Sequence, residues 1–421
     1  MAVMPKTVTP PRGMRDFLPA EKARRERALA VIRETYRVHG FDEIETPVVE
    51  DSERLHAGLG GDNEKLAFAV MKRGLTAEDL EAAAASGDSL ALADLGLRFD
   101  LTVPLARFYA SNRGNLPPVF RAVQIAPVWR AERPQKGRYR QFMQCDIDII
   151  GEAGPVAELE LLQATLATLD ALGLAGCSIR LNDRRILQGL LGSWGVDDPA
   201  LRERALITLD KLDKIGATGV ADELATLGID RPGIVDEIAE LAAADWTIAD
   251  GGAPAWLDAE AFGDLRALRD ALPGASVAFD PTLVRGMGYY TGTIFEIAHP
   301  DRGYSLGGGG RYDHMIGRFL GQEVPACGFS IGFERIVDLV ELGGEGTHDD
   351  VVLVHDRDVD PAVLVGLKSQ LVAAGSRVRL ERRVKNTRAL LERVAADGFS
   401  RFAFVSAGLT DAAELEFRPL D

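Results

Sequence analysis

Between Val119 and Gly151 the chain reads VFRAVQIAPVWRAERPQKGRYRQFMQCDIDIIG, two runs of strand-like alternation around a Pro- and Gly-bearing turn. Successive strand side chains point to opposite faces, so parity decides which residues share a surface. In the second run Arg138, Arg140, Phe142, Gln144, Asp146 and Asp148 share one face, and Tyr139, Met143, Cys145, Ile147 and Ile149 the other. In the first run Gln124, Arg130 and Glu132 oppose Ile125, Pro127 and Trp129. A hairpin closed near 132 and 138 therefore presents Arg130, Glu132, Arg138, Phe142, Gln144 and Asp148 on one polar surface, opposite a buried one.

The rest of the pattern predicts a mixed chain. Helical spacing of Leu29, Ile32 and Tyr36 gives a helix over 17–40, feeding an extended GFDEIETPVVE with a proline stop. Residues 155–173 form an amphipathic helix ended by glycine. From 183 to 272 short helical segments are broken by Gly and Pro, which predicts a helical insertion. Strand character returns in SVAFDP, GTIFEIAH and CGFSIGF, and FERIVDLVEL reads as a helix. After GGEGTHDD, strands in DVVLVHD, SRVRL and RFAFVSA alternate with helices at 361–374 and 386–397, predicting a small α/β domain with a partly parallel sheet. Another strand-like fragment, LRFDLTVPLAR, puts Asp100 and Thr102 on one face.

At 421 residues and 46% hydrophobic, the chain should hold two or three domains. No apolar run reaches the roughly 18 residues of a membrane span, and MAVMPKTVTPPRG lacks the apolar core of a secretion signal. A soluble cytoplasmic protein with no membrane partner is expected. Three cysteines without CxxC spacing indicate neither disulfides nor a zinc site, and no protein-ligated metal is expected. The net charge of −16 argues against indiscriminate binding of nucleic acid, yet it is global. Residues 350–421 hold 11 Lys or Arg and 11 Asp or Glu, so this neutral segment leaves the whole excess to the remainder. Seven cations lie between Arg377 and Arg393, where a solvated face is the plainer reading.

The polar face of the hairpin is either a solvated sheet surface or a site. Its order favours chemistry: arginines near the loop suit phosphate oxygens, a phenyl ring suits a purine, and amide and carboxylate further along suit an amine. Asp100 and Thr102 could hold an ammonium group or belong to a surface strand. GGGGRYD, from Gly307, lets the backbone approach a ligand or a neighbouring strand closely. Arg335, early in a helix, disfavours the dipole unless an anion is near. LVRGMGYYTGTIFEI, Leu283 to Ile297, wedges Arg285 between glycines ahead of two tyrosines.

PRGMRDFLP, ETPVVE, LRFDLTVPLAR, WRAERPQKGRYRQFMQCDIDIIG, LNDRRIL, LDKLDKIG, LVRGMGYYTGTIFEI, GGGGRYD and GFSIGFERI follow one another along essentially the whole chain. In these motifs the sequence resembles the histidyl-tRNA synthetases, which are class II aminoacyl-tRNA synthetases. The resemblance implies an α+β class II catalytic core on a mainly antiparallel sheet, with a helical insertion and a C-terminal α/β anticodon-binding domain. The boundaries would be 1–182 and 273–343 for the core, 183–272 for the insertion and 349–421 for the last domain. It implies ATP-dependent ligation of L-histidine to its tRNA through a histidyl-adenylate, with Mg2+ accompanying ATP, in a homodimer whose interface includes ETPVVE.

By resemblance, Arg130 holds the α-phosphate, Glu132 the adenine amino group and Phe142 the adenine ring, while Arg138 and Arg335 clamp the β- and γ-phosphates. Asp100, Thr102 and Gln144 would take the α-ammonium, Asp148 and Tyr290 the imidazole, and Tyr289 would line the pocket. Arg285 would reach the α-phosphate and the substrate carboxylate, with Gly286 allowing close backbone approach. Arg382, Arg383 and Lys385 would meet tRNA phosphates. The family usually carries aspartate where this chain has Gly288, and the chain ends at ELEFRPLD, earlier than the resemblance leads one to expect. The rival reading is a non-catalytic histidine-sensing paralogue resembling the ATP phosphoribosyltransferase regulatory subunit, which should lack the ATP-clamping arginines and the C-terminal domain.

Overall fold

The computed structural model describes residues 8–56, 66–134, 138–174, 176–285, 288–340 and 350–420. Its strands before residue 340 are β1 (Asp42–Glu43), β2 (Val49–Asp51), β3 (Phe68–Met71), β4 (Ala93–Leu97), β5 (Phe120–Trp129), β6 (Gln141–Ile150), β7 (Ser178–Asp183), β8 (Val277–Phe279), β9 (Thr293–His299), β10 (Arg302–Arg311) and β11 (Ala326–Ile331). Eight of them form one sheet in the order β1-β5-β6-β11-β10-β9-β7-β8. Only the outer pairs, β1 with β5 and β7 with β8, are parallel; the five central pairings are antiparallel. β2, β4 and β3 make a separate small antiparallel sheet.

The β5–β6 hairpin has the register that parity predicts. Trp129 faces Gln141, and the pairing runs without a slip to Phe120 opposite Ile150. Beyond the strands the Arg130 amide donates to the Arg140 carbonyl at 2.9 Å, and Glu132 meets Arg138 at 3.6 Å. One expectation changes. The polar face is not a wet one, because Gln144, Asp146 and Asp148 are only 9, 5 and 4% exposed. β6 lies inside an eight-stranded sheet, and Tyr312 packs over it, donating from its hydroxyl to Asp148 at 2.5 Å. A buried polar face needs partners or a ligand, so the solvated-surface reading fails here.

LRFDLTVPLAR also departs from its strand reading. β4 ends at Leu97, and Thr102 begins the helix Thr102–Asn112. Asp100 lies just ahead of it, its Oδ1 accepting the Val103 amide at 3.1 Å. A carboxylate at a helix start satisfies an otherwise orphan donor, and Pro104 in the first turn lacks only an N–H that would have no partner there. In FERIVDLVEL, regular α-helix covers only Phe333–Ile336.

The segment after β7 is helical, with helices Arg184–Ser193, Pro199–Leu209, Leu212–Thr226, Ile234–Ala242 and Ala259–Asp270. Asp183, Asp198 and Asp258 cap three of them through their side chains. Leucines and isoleucines of the first four share one core with Leu283, Val284 and Ile294, the apolar residues flanking the Arg285 segment. These helices thereby anchor the segment that carries the arginine.

Residues fall into two compact units, one formed by the chain up to Arg15 and from Ala28 to Val340, the other by Asp16–Arg27 and the C-terminal part. In the second, β12 (Asp350–His355) lies between β13 (Arg377–Arg382) and β14 (Arg401–Val405), both parallel to it, and β15 (Arg418–Pro419) runs antiparallel beside β14. Val351 and Leu353 face a core with helix Pro361–Ala373, while Val352 and Val354 face another with helix Thr387–Ala396. An unbroken apolar run is what a strand covered on both faces requires.

Candidate functional site

The central sheet carries its site on the face of the hairpin's even-numbered residues. Crossing from β6, Asp148 is followed by Gly328, Gly310, Ile294 and Asn182; one row along, Asp146 is followed by Ser330, Gly308, Glu296 and Arg180. The middle of this floor is therefore glycine, and something else fills the space. A Cβ on Gly308 would lie 2.7 Å from the Arg285 guanidinium carbon, one on Gly310 2.9 Å from the Tyr290 ring, and one on Gly328 1.9 Å from Asp148 Oδ1. The intervening Gly309 serves the opposite face. There Phe295 and Phe329, on strands either side of it, stack at 5.3 Å with rings 6° from parallel. The glycine run thus admits side chains on both faces, those on the site side being Arg285 and Tyr290.

Arg285 is held where it lies. Its Nη1 donates to Glu296 at 2.9 Å, and Glu296 also accepts from Arg180 at 3.2 Å. Arg180 in turn pairs with Asp280 and with Asp213. Burial disfavours the Arg285 charge, but Tyr290, Glu296 and Asp210 outweigh it and raise its pKa. The side chain as a whole remains about a quarter exposed, while its buried Nε has no partner among the described residues.

Four arginines converge. Burial, then Arg138 and Arg285, push the Arg335 pKa down, with Glu296 opposing and Arg130 adding to the fall. Arg335 is tethered through Nη1 to the Ser305 carbonyl at 2.6 Å, and Arg130 through Nε to the Phe99 carbonyl at 3.0 Å. Arg130 also sits over the Phe142 ring, 5.1 Å from its centroid. Mutually repelling guanidiniums beside a half-buried aromatic ring are suited to a polyphosphate with a flat base.

Next to the cations lies the opposite arrangement. Burial raises Asp100 to about 6, against hydrogen bonds and Arg130 that lower it. Burial likewise raises Asp148 to about 7, opposed by the Tyr312 hydrogen bond and reinforced by Asp100. Asp146 is pushed well up by burial and by Asp148. Tyr289 hydrogen-bonds Thr102 and Tyr290, and the two tyrosine rings lie 4.8 Å apart. Buried carboxylates that raise one another's pKa attract a cation.

The predicted site residues Asp100, Thr102, Arg130, Glu132, Arg138, Phe142, Gln144, Asp148, Arg285, Tyr289, Tyr290 and Arg335 all belong to the first compact unit. Gly286, and Lys136 in the hairpin loop, lie outside the described residues. Gly288 lines a cavity of about 220 Å3 together with both tyrosines, Gln188, His314 and Arg318. Glu296, Arg180 and Asp280 were not anticipated; the signal available was a lone glutamate in the apolar run TIFEIAH. In the second unit, Arg377, Arg379, Arg383, Arg388 and Arg393 are each paired with a carboxylate of that unit.

Comparison with known proteins gives a consistent result. A profile of the family described as Histidyl-tRNA synthetase matches residues 13–336. A histidine–tRNA ligase of Leifsonia xyli subsp. xyli is 62% identical, over 99% of this chain and 99% of its own length. A probable histidine–tRNA ligase of Tropheryma whipplei is 43% identical over 94% of this chain and 96% of its own. Among solved structures, the histidyl-tRNA synthetase of Nostoc sp. PCC 7120 superposes with a TM-score of 0.74 at 24% identity, covering 98% of this chain and 94% of that one.

Proposed function

The chain belongs to the histidyl-tRNA synthetase family, and from that premise we propose how its site joins L-histidine to histidine tRNA at the expense of ATP. The observation that carries the reading is the adjacency of a four-arginine cluster to a buried carboxylate cluster on one glycine floor. The first suits a triphosphate and the second an amino acid with a basic side chain. The enzyme is a histidine–tRNA ligase with a class II core, and its C-terminal part is an α/β domain.

Arg130 takes the α-phosphate, Glu132 the adenine amino group and Phe142 stacks on the base. Arg138 and Arg335 take the β- and γ-phosphates, with Mg2+ arriving as part of the nucleotide. Asp100, Thr102 and Gln144 receive the α-ammonium, while Asp148 and Tyr290 receive the imidazole and Tyr289 closes the pocket. A histidine carboxylate oxygen then attacks the α-phosphorus, the bond to the bridging oxygen breaks, and pyrophosphate leaves. Arg285 neutralises the charge that builds on the α-phosphate, and position plus charge supply most of the acceleration. In the second step the 3′-hydroxyl of the terminal adenosine attacks the adenylate carbonyl and AMP departs; a phosphate oxygen of the adenylate accepts the hydroxyl proton.

Residues 1–182 and 273–343 act as the catalytic core, 183–272 as the helical insertion, and 349–421 as the anticodon-binding domain. Surface ion pairs are worth only about 0–1 kcal/mol each, so paired arginines of the last domain remain available to phosphates. No described helix is long and apolar enough to cross a membrane, which agrees with a cytoplasmic enzyme. Val48, Val49, Leu95 and Met71 are 37–63% exposed on or beside the small sheet, an apolar patch that supports a homodimer through ETPVVE. Sedimentation should give twice the chain mass, and Val49→Asp with Leu95→Asp should halve it; a wild-type monomer at micromolar concentration would sink the dimer.

ATP–pyrophosphate exchange across all amino acids tests the function. Exchange with histidine alone is expected, and exchange with none would favour a histidine-sensing paralogue. Neutralising Arg382, Arg383 and Lys385 together should leave exchange intact and raise KM for tRNA in aminoacylation; unchanged KM would remove these residues from the tRNA contact.

A further inference from the structure

Three buried acceptor oxygens at the amino-acid end of the site have no hydrogen-bond donor among the described residues: Asp100 Oδ2, Gln144 Oε1 and Asp146 Oδ1. Their side chains are 2, 9 and 5% exposed, and an unmatched buried acceptor is costly. They belong to one neighbourhood. Gln144 and Asp146 lie two residues apart on the same face of β6. Gln124, opposite Asp146 on β5, donates from its amide to the Leu101 carbonyl at 3.1 Å, which ties the chain next to Asp100 down beside Asp146. The Gln124 carbonyl oxygen is itself met by the Thr46 hydroxyl at 3.4 Å.

The orientation of Gln144 follows from its neighbours. Its Nε2 is 3.3 Å from Asp146 Oδ2 and 3.3 Å from Ser330 Oγ, so both amide hydrogens are engaged and Oε1 is left to accept. A cation in the site favours the ionised form of Asp146, which can only accept, and in that state the amide is fixed in this sense rather than its flip. A primary ammonium has three N–H donors directed to three corners. Three acceptors in one neighbourhood, two of them carboxylates, match it in number.

We propose that Asp146 is a specificity-determining residue, the third acceptor for the α-ammonium of the amino-acid substrate, and that it also holds Gln144 in its accepting orientation. This rests on the amino acid occupying the carboxylate end of the site as described above. Asp148, two residues further along β6, is by contrast committed at Oδ1 to the Tyr312 hydroxyl.

Calorimetric titration of the full-length protein with histidine and with 3-(imidazol-4-yl)propionate, which is histidine without its ammonium, separates the two ends of the substrate. Wild type should bind histidine much more tightly than the des-amino compound. In Asp146→Asn that ratio should contract about 10- to 100-fold, the range of a lost hydrogen bond to a charged group, with affinity for the des-amino compound unchanged. Asp146→Ser, smaller and neutral, should contract it likewise, and thermal melting checks that both variants fold. An unchanged ratio, or equal losses for both compounds, would overturn the proposal. Binding requires no turnover, so a protein that binds histidine without pyrophosphate exchange would refute the catalytic reading while leaving this one standing.

Discussion

Arg285→Ala lowers histidine-dependent ATP–pyrophosphate exchange by about 100- to 1000-fold, the usual loss when a group stabilising developing charge is removed. The expectation rests on placement. The guanidinium lies above Gly308, where no side chain could share its space, and Glu296 fixes it from the next strand at 2.9 Å. With Nη1 so engaged, Nε stays buried and unpartnered among the described residues. Glu296 keeps Arg180 as a partner in the variant, so the fold should survive. A structural role predicts the reverse: a clear drop in Tm with exchange nearly normal. That outcome would remove Arg285 from the chemistry.

Asp148→Asn should reduce kcat/KM for histidine by at least about 100-fold and change its pH dependence, because a site built to accept an N–H is left presenting one. Asp148 Oδ1 already accepts from Tyr312, leaving Oδ2 for the imidazole. Burial raises its carboxyl from the ordinary 3.8 to about 7. Since the charged form is the better acceptor, kcat/KM should fall as pH drops through 7, and again near 6 as Asp100 takes its proton. Histidine's own imidazole titrates near about 6.5. The Asn variant is the control, since only the Asp148 share of the fall disappears in it.

Stability runs the other way. A carboxyl with a folded pKa of about 7 and an unfolded value near 3.8 binds its proton more tightly when folded. The folded state therefore gains stability as pH falls from above 7 toward 4, and loses it as pH rises through 7. Unliganded wild type should melt higher at pH 6 than at pH 8, and Asp148→Asn should flatten that difference while raising Tm at pH 8. An Asp148→Asn variant whose Tm changes between pH 6 and pH 8 as much as the wild type's would mean that Asp148 does not titrate in that window.

Much of the arrangement was legible in residue order. Alternation across β5 and β6 was enough to pair 132 with 138 and to bring Arg130, Phe142, Gln144 and Asp148 to one face, because strand geometry makes facing a matter of parity. Local pattern misjudged LRFDLTVPLAR, where a carboxylate before a helix and a proline in its first turn look the same in sequence as a polar position in a strand. Neither could parity tell whether the polar face was wet, since burial depends on the strands and tyrosines that come from far along the chain.

The sequence by itself determined the β5–β6 hairpin and its register, the helical insertion, the alternating strands and helices of the last domain and the chemical inventory of arginines and carboxylates, because each is written in the alternation and spacing of nearby residues. Only the tertiary structure decided that Gly308 and Gly310 hollow out a floor for Arg285 and Tyr290, and that Gly309 lets two phenylalanines stack beneath. It also decided that Glu296 and Arg180 hold the arginine in place, and that three acceptor oxygens of one neighbourhood have no donor among the described residues. These relations join strands separated by tens to more than a hundred residues, and the energies that govern them, desolvation and close contact, exist only once those strands have met.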